Sequence, residues 1–223
     1  MQLDLDFQKT LQAGARSFDL RIRLQSPSKR VVIHGPSGAG KSMTLKAIAG
    51  LLTPDSGHIR MAGHTVFDAG SHINVPARAR RVGYLFQDYA LFPHLTVKQN
   101  IAFGTQAGWL NPSRAVRDQR VQQWLELMGL QDLANQYPHD LSGGQRQRTA
   151  LARALVTHPD VLLLDEPFAA LDAQLRRAMR GELLDLQRRL DVPMILITHD
   201  PDDVAALGEA VFRMENGQVL LAG

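Results

Sequence analysis

The sequence predicts an α/β fold: a mostly parallel sheet with helices, preceded by a small antiparallel β subdomain and interrupted by an inserted helical subdomain. Three observations carry this prediction. The runs Val31-Val32-Ile33, Val161-Leu162-Leu163-Leu164 and Met194-Ile195-Leu196-Ile197 are apolar without alternation, as strands buried on both faces are, and helical patterns separate them. Residues 3–7 and 18–24 alternate instead, as strands with one buried face do. Between Asp88 and Asp140 strand signals become sparse.

Taken in order, Leu3-Asp4-Leu5-Asp6-Phe7 and Phe18-Asp19-Leu20-Arg21-Ile22-Arg23-Leu24 form an expected hairpin about Gly14, closed by Pro27. Strand Val31–Ile33 then runs into Gly35-Pro36-Ser37-Gly38-Ala39-Gly40-Lys41-Ser42. Glycines here leave room for phosphate oxygens to approach successive backbone N–H groups. The helix expected to follow, with Leu45, Ile48, Ala49 and Leu52 inward and Gly50 and Pro54 ending it, adds its unpaired N–H groups and positive dipole end. Lys41 can reach β- and γ-phosphates, and the Ser42 hydroxyl can ligate Mg²⁺. These residues predict a cradle for a nucleoside triphosphate, the core of a P-loop NTPase.

Short strand-like pieces fill residues 56–86 and end at Val82-Gly83-Tyr84-Leu85-Phe86, ahead of Gln87. A break at Trp109-Leu110-Asn111-Pro112 precedes an expected helix over 113–128, entered through Asn111-Pro112-Ser113, with Val116, Val121, Trp124, Leu125 and Met128 as its buried stripe. Leu141-Ser142-Gly143-Gly144-Gln145 opens another helix. Ser142 suits an N-cap, and Gly143 and Gly144 let a ligand approach, so this is a second phosphate-seeking helix start. Asp165-Glu166-Pro167 follows the next strand, a helix spans about Ala173 to Leu190, and the strand at Met194 ends in Thr198-His199-Asp200. Residues 210–214 and 217–221 read as a terminal hairpin about Asn216-Gly217.

Composition bounds the function. The 223 residues are 44% hydrophobic and 21% charged, an ordinary globular balance, with a formal net charge of +3. No run approaches the roughly 18 apolar residues of a membrane span, and acidic Asp4 and Asp6 do not suit a secretory leader, so a cytoplasmic chain is expected. The absence of cysteine excludes disulfides and thiolate chemistry. The groups Arg78, Arg80, Arg81 and Arg176, Arg177, Arg180, Arg188, Arg189 read as solvated faces, and no nucleic-acid partner is expected.

In an open parallel sheet, active groups gather beyond the carboxyl ends of the strands. A hydrolytic site needs a carboxylate toward Mg²⁺ and a second group on the attacking water, and Asp165 and Glu166 suit these tasks. Alone, such a pair also suits a helix cap. His199 suits a γ-phosphate sensor or a surface residue, and Gln87 suits a Mg²⁺ or water ligand or a loop residue.

Together these residues resemble the ATP-binding cassette ATPases over nearly the whole chain. The Leu141–Gln145 segment lies between the glycine loop and the Asp165-Glu166 strand, and alone would occur by chance in roughly 3 of 10,000 such chains. The resemblance implies one cassette domain over 1–223. Its parts are an antiparallel subdomain at 1–30, a nucleotide-binding core at 31–87 and 157–223, and a helical subdomain at about 88–156; such subunits often carry a C-terminal regulatory domain, which is not expected within these 223 residues. It implies Gln87 as the glutamine-loop residue, Glu166 as general base, Asp172 in the loop crossing between subunits and His199 as switch histidine. Catalysis would rest on Glu166, His199 and Gln87, Mg²⁺ on Ser42, Gln87 and Asp165. ATP would be held by Gly35 to Ser42 and, from a second copy in a head-to-tail dimer, by Ser142, Gly143, Gly144, Gln145 and Asp172.

The segment Arg80–Asp88 with Leu91–Thr96 is similar to the importer subfamily serving molybdate, sulfate and sugars, most to its molybdate members. That implies permease subunits as partners, a substrate-binding protein acting indirectly, and a place on the cytoplasmic face of the membrane. Coupling is then expected around Gln87 to His94. Two departures stand out. The adenine-stacking aromatic has only Phe7 and Phe18 as candidates, each better suited to core packing, and Ala169 replaces a serine common in the family. One alternative is an importer ATPase for another solute, such as sulfate or a sugar; another is a soluble cassette ATPase acting on DNA or ribosomes. The DNA-repair type needs a long coiled-coil insertion, for which no heptads exist here, and the ribosome type needs two cassettes. A catalytically silent subunit fits poorly with the presence of Glu166 and His199.

Overall fold

Why apolar runs become strands here is visible in where alternate residues go. In a computed structural model describing residues 3–14, 16–105, 111–113 and 115–220, β3 (Arg30–His34), β8 (Val161–Asp165) and β9 (Met194–Thr198) lie in parallel as neighbours in the order β3-β9-β8, in the middle of the parallel part of the sheet. Val31, Ile33, Leu163, Ile195 and Ile197 point into one apolar cluster, and Val32, Leu162, Leu164, Met194 and Leu196 point into another on the opposite face. Each residue of these runs is needed by one core or the other, so alternation has no place in them.

The hairpin pairs β1 (Leu3–Ala13) with β2 (Arg16–Ser26), in register from Leu3 opposite Ser26. It adds to β4 (Ser56–Met61), β5 (His64–Asp68) and β6 (Ile73–Asn74), all antiparallel. The parallel part continues through β7 (Val82–Leu85) beside β8, and β10 (Ala210–Glu215) beside β3. The last strand, β11 (Gln218–Leu220), joins β10 to β2, giving one sheet ordered β6-β5-β4-β1-β2-β11-β10-β3-β9-β8-β7. Leu221, the last residue of the expected hairpin, lies outside the described residues.

Helix α1 (Lys41–Ala49) packs Leu45 and Ile48 into the cluster shared with the hairpin. The opposite cluster takes α2 (Val97–Phe103), α3 (Gln119–Leu127), α4 (Gly143–Leu155) and α5 (Ala173–Leu190), with Leu207 from α6 (Pro201–Leu207). Full burial of side chains such as Ile101 and Leu183 contributes about 1.5–3 kcal/mol each.

Three expectations need correction. The helix expected from residue 113 begins at Gln119, because the Asp118 carboxylate accepts from Arg120 N at 2.9 Å and caps it there. Asn111-Pro112-Ser113 is not a helix entry; the Pro112 carbonyl instead accepts from Gln99 Nε2 at 2.8 Å, while Trp109 and Leu110 lie outside the described residues. Helix α2 was not anticipated, although its Thr96-to-Gln99 capping box is written in the sequence. Nor are all the arginines solvated. Arg80 is buried and donates to the carbonyls of Val75, Ala47 and Ile48 at 2.7–2.9 Å, capping the C-terminal end of α1. Arg180 is buried among aspartates, and Arg176 is half-buried against Asp200. Arg78, Arg81, Arg177, Arg188 and Arg189 are exposed, as expected.

No helix among the described residues is long and apolar enough to cross a membrane.

Candidate functional site

The segment Gly35–Ser42 joins β3 to α1 and owes its path to its glycines. Gly40 takes φ 101° and forms the N-cap of α1, and a Cβ there would fall 2.8 Å from Leu20 Cδ1. At Gly35 a Cβ would meet the Met214 carbonyl oxygen at 2.0 Å, so only glycine fits against β10. The N-cap offers no side chain to the first-turn N–H groups, leaving them for a ligand. Lys41 is buried and turns back on the loop, donating to the carbonyls of Gly35 at 2.8 Å and Pro36 at 2.9 Å. Burial pulls its pKa down, against the raising influence of Glu166 and Asp165.

Carboxylates arrive from the end of β8. Asp165 Oδ1 accepts from Ser42 Oγ at 2.9 Å and Oδ2 from Tyr84 OH at 3.2 Å. Burial pushes the Asp165 carboxyl above the usual carboxylate range, more than those two hydrogen bonds draw it back. The Tyr84 phenol is likewise raised, first by burial and then by Asp165. Glu166 next turns the chain with φ 45°, a left-handed conformation that a non-glycine residue adopts at a cost of roughly 1–3 kcal/mol. Its N–H donates to Ile197 O at 3.0 Å, holding the turn against β9. The turn aims Oε1 toward Lys41 Nζ at 3.8 Å and places Oε2 3.0 Å from His199 Nδ1, at the end of the neighbouring β9.

Two clefts border this group. One, of about 280 Å³, is lined by Ser37, Gly38, Gly40, Lys41, Gln87 and Glu166; the other, of about 580 Å³, by Ser42, Lys46, Gln87, Asp88 and Asp165 among others. Ser42 and the exposed Gln87 line both. The donors facing them, a serine hydroxyl, a carboxylate and an amide oxygen, are hard oxygen ligands that suit Mg²⁺. No group of three or more His, Cys, Asp or Glu that could hold a metal occurs among the described residues.

Ser142 to Gln145 lines neither cleft. Ser142 caps α4, accepting from Gln145 N at 3.3 Å, while Gln145 Oε1 accepts from Ser142 N at 2.8 Å. Gly144 also has a task within the chain that its sequence context did not reveal: a Cβ there would meet Leu175 Cδ1 at 3.2 Å, so it lets α4 pack closely on α5. Asp172 is the N-cap of α5, accepting from Gln174 N and Leu175 N at 3.0 Å. Of the two aromatic candidates for a base, Phe7 is 1% exposed in the core and cannot stack on a ligand; Phe18 is half-buried beside Gly40. Sequence reasoning missed Tyr84, for which strand alternation gives no hint of a carboxylate partner.

A glycine loop between strand and helix, its buried lysine, and carboxylates at the ends of adjacent parallel strands define a phosphate-loop NTPase fold. The family described as "ABC transporter" matches residues 19–169, and the chain belongs to it. It is 45% identical over 203 residues to the sulfate/thiosulfate import ATP-binding protein CysA of Synechocystis, covering 91% of this chain and 55% of that protein. Identity is 39% over 221 residues with the molybdenum import ATP-binding protein ModC of Paramagnetospirillum magneticum, covering 99% and 59%. The chain thus spans a little over half the length of these two relatives. Among solved structures, the dimeric post-hydrolysis state of the ATP-binding cassette MJ0796 bound to ADP and Pi superposes with a TM-score of 0.78 at 30% identity, covering 99% of this chain and 97% of that one.

Proposed function

We infer that the chain is the ATP-hydrolysing subunit of a membrane importer, acting as one half of an ATP-sandwich dimer at the cytoplasmic face of the membrane. The observation that carries this is the convergence of Lys41 and Glu166, 3.8 Å apart, on the cleft walled by the glycine loop, with His199 bonded to Glu166 at 3.0 Å.

Loop N–H groups and Lys41 bind the β- and γ-phosphates, so Lys41 exchanges its two carbonyl acceptors for phosphate oxygens. Ser42, Asp165 and Gln87 are the residues that would hold Mg²⁺, which when bound neutralises phosphate charge. Tyr84 fixes the second oxygen of Asp165, leaving the first shared with Ser42. Glu166 accepts a proton from the attacking water as that oxygen bonds to the γ-phosphorus and the bond to the β–γ bridging oxygen breaks, releasing ADP and phosphate. His199 holds Glu166 and contacts the γ-phosphate. Ser142 to Gln145 and the Asp172 loop of a second copy cover the nucleotide from the other side.

The helical lobe at about 88–156 fits this cycle, because it carries α4 toward the partner; the antiparallel subdomain expected at 1–30 also takes in β4 to β6 from the 31–87 segment, since these strands extend the hairpin from β1 through antiparallel pairs. A groove of about 390 Å³ between β7 and the lobe, lined by Tyr84, Phe86, Phe92, Phe103 and Arg153, supports docking of a permease around Gln87 to His94. Arg153 stiffens it, donating to the carbonyls of Tyr89 and Ala90 at 2.7 Å and covering the Phe92 ring. An oxyanion such as molybdate or sulfate is the proposed cargo, delivered by a substrate-binding protein, in keeping with the names of CysA and ModC; relatives named for Fe(3+) import are equally similar, so the cargo rests on the oxyanion reading of the sequence.

Glu166→Gln is expected to bind ATP, lose roughly 10²- to 10⁴-fold in turnover and accumulate as a dimer on size exclusion with ATP. Normal turnover by that variant sinks the assignment. Purification from host membranes should bring down an integral permease; a ribosome or DNA fragment in its place overturns the importer reading.

A further inference from the structure

His199 is weakly held by its own ring, which is 55% exposed. The residues on either side of it are fixed instead. Thr198 Oγ1 donates to Asp203 Oδ2 at 2.6 Å and accepts from Asp200 N at 3.0 Å. Asp200 uses one oxygen to cap α6, accepting from Asp202 N at 2.9 Å. Its other oxygen accepts from Arg176 Nη1 at 2.8 Å and Arg180 Nη2 at 2.7 Å. Arg180 also donates through Nε to Asp203 and through Nη1 to Asp202, and both Arg180 and Asp203 are buried. The two arginines stand one turn apart on α5, so a rigid helix face grips the chain just after the histidine. Arg176 has a further bond: its Nη2 donates at 3.0 Å to the carbonyl of Leu171, the residue before the α5 cap Asp172.

We propose that Arg176 and Arg180 are positioning residues for the switch histidine. They hold the segment 198–200 so that His199 stays within hydrogen-bond reach of Glu166. Arg176, bonded at once to Asp200 and Leu171, makes a displacement of the 169–172 loop felt at the Glu166–His199 pair. A second copy pressing on Asp172 would thereby set the geometry of hydrolysis in this one. The physical reason lies in the charge balance. Low-dielectric surroundings strengthen the Arg180 pairs to Asp200 and Asp203, so the clamp moves as a body rather than bond by bond.

This inference rests on the proposed roles of Glu166 and His199, and the test separates the two. Arg176→Met keeps the aliphatic stem but loses both hydrogen bonds. It is expected to lower kcat by about 10- to 100-fold, as a displaced catalytic group does, with ATP affinity of the monomer and Tm close to wild type. Arg176→Lys, which can keep the ion pair to Asp200 but cannot span to Leu171, should recover part of kcat while its ATP dependence loses cooperativity. Thr198→Val breaks the same clamp from the β9 side and decides the matter if Arg176→Met does not fold. Wild-type kcat in Arg176→Met or Thr198→Val, or a loss matched by an equal loss of ATP affinity, overturns the positioning role. With Glu166→Gln assayed alongside, an inactive Glu166→Gln beside a fully active Arg176→Met refutes only the clamp. A fully active Glu166→Gln refutes the site on which the clamp would act.

Discussion

Two helix N-termini in this chain face the same need, unpaired N–H groups, and meet it in opposite ways. At α1 the cap is a glycine in the left-handed region with no side-chain acceptor, and the neighbouring lysine is folded onto loop carbonyls. At α4 the cap is Ser142, locked with Gln145 in a reciprocal box. The first end is open and the second is closed on itself. The difference bears on where an anion first lands. An open N-terminus with a lysine binds phosphate alone, whereas a self-capped one has little to offer until the anion arrives already held. Ser142 Oγ accepts from Gln145 N, and its hydroxyl hydrogen has no acceptor among the described residues, so the box can stay intact while that hydrogen is donated to a phosphate oxygen. In the proposed dimer, then, ATP binds first at α1 and recruits α4 of the second copy afterwards.

The strongest way to break this ordering is at α1. Lys41→Ala removes a charged donor from a buried site and should weaken ATP binding by about 2–5 kcal/mol, tens to thousands of fold, in an equilibrium titration. Retained tight binding would mean that the loop N–H groups suffice. Ser142→Ala acts on the other end, with a smaller and differently placed effect. ATP affinity of the monomer should stay near wild type, while ATP-driven dimerisation measured by sedimentation weakens about tenfold. Loss of the cap should also lower α4 stability by about 1 kcal/mol, seen as a reduced Tm. An equal defect in monomer binding would contradict the division of labour.

The smallest effect sharpens what openness costs. Burial keeps the Asp165 carboxyl raised above its ordinary value. The folded state therefore holds that proton more tightly than the unfolded one. The stabilisation is fully present below the unfolded pKa and lost as pH rises through the raised folded value. Asp165→Asn should escape this loss, giving the variant, measured without nucleotide, a higher Tm than wild type at neutral pH. The gap should close toward about pH 4. A lower Tm for the variant at neutral pH would show that the bonds to Ser42 and Tyr84 outweigh burial.

What could be read from the sequence alone were features whose causes are local. The loop Gly35–Ser42 was legible because backbone approach and left-handed φ need glycine at set spacings. The bounds of α5 were legible because Asp172 caps it and its apolar residues recur at helical period. The central strands were legible because residues needed by two cores cannot alternate. The later start of α3 and the short α2 rest on single caps, Asp118 and Thr96 with Gln99, which a periodicity argument passes over. Only the tertiary structure decided features that depend on partners far along the chain. Ser42 meets Asp165 across 123 residues, and Glu166 meets His199 across 33. Arg80, Arg176 and Arg180 look like surface charges in sequence. Arg80 caps α1 from 33 residues away, and Arg180 reaches Asp203 across 23. Residue type states which bonds such a side chain can make; only the packing of sheet and helices determines whether water or a distant carboxylate makes them.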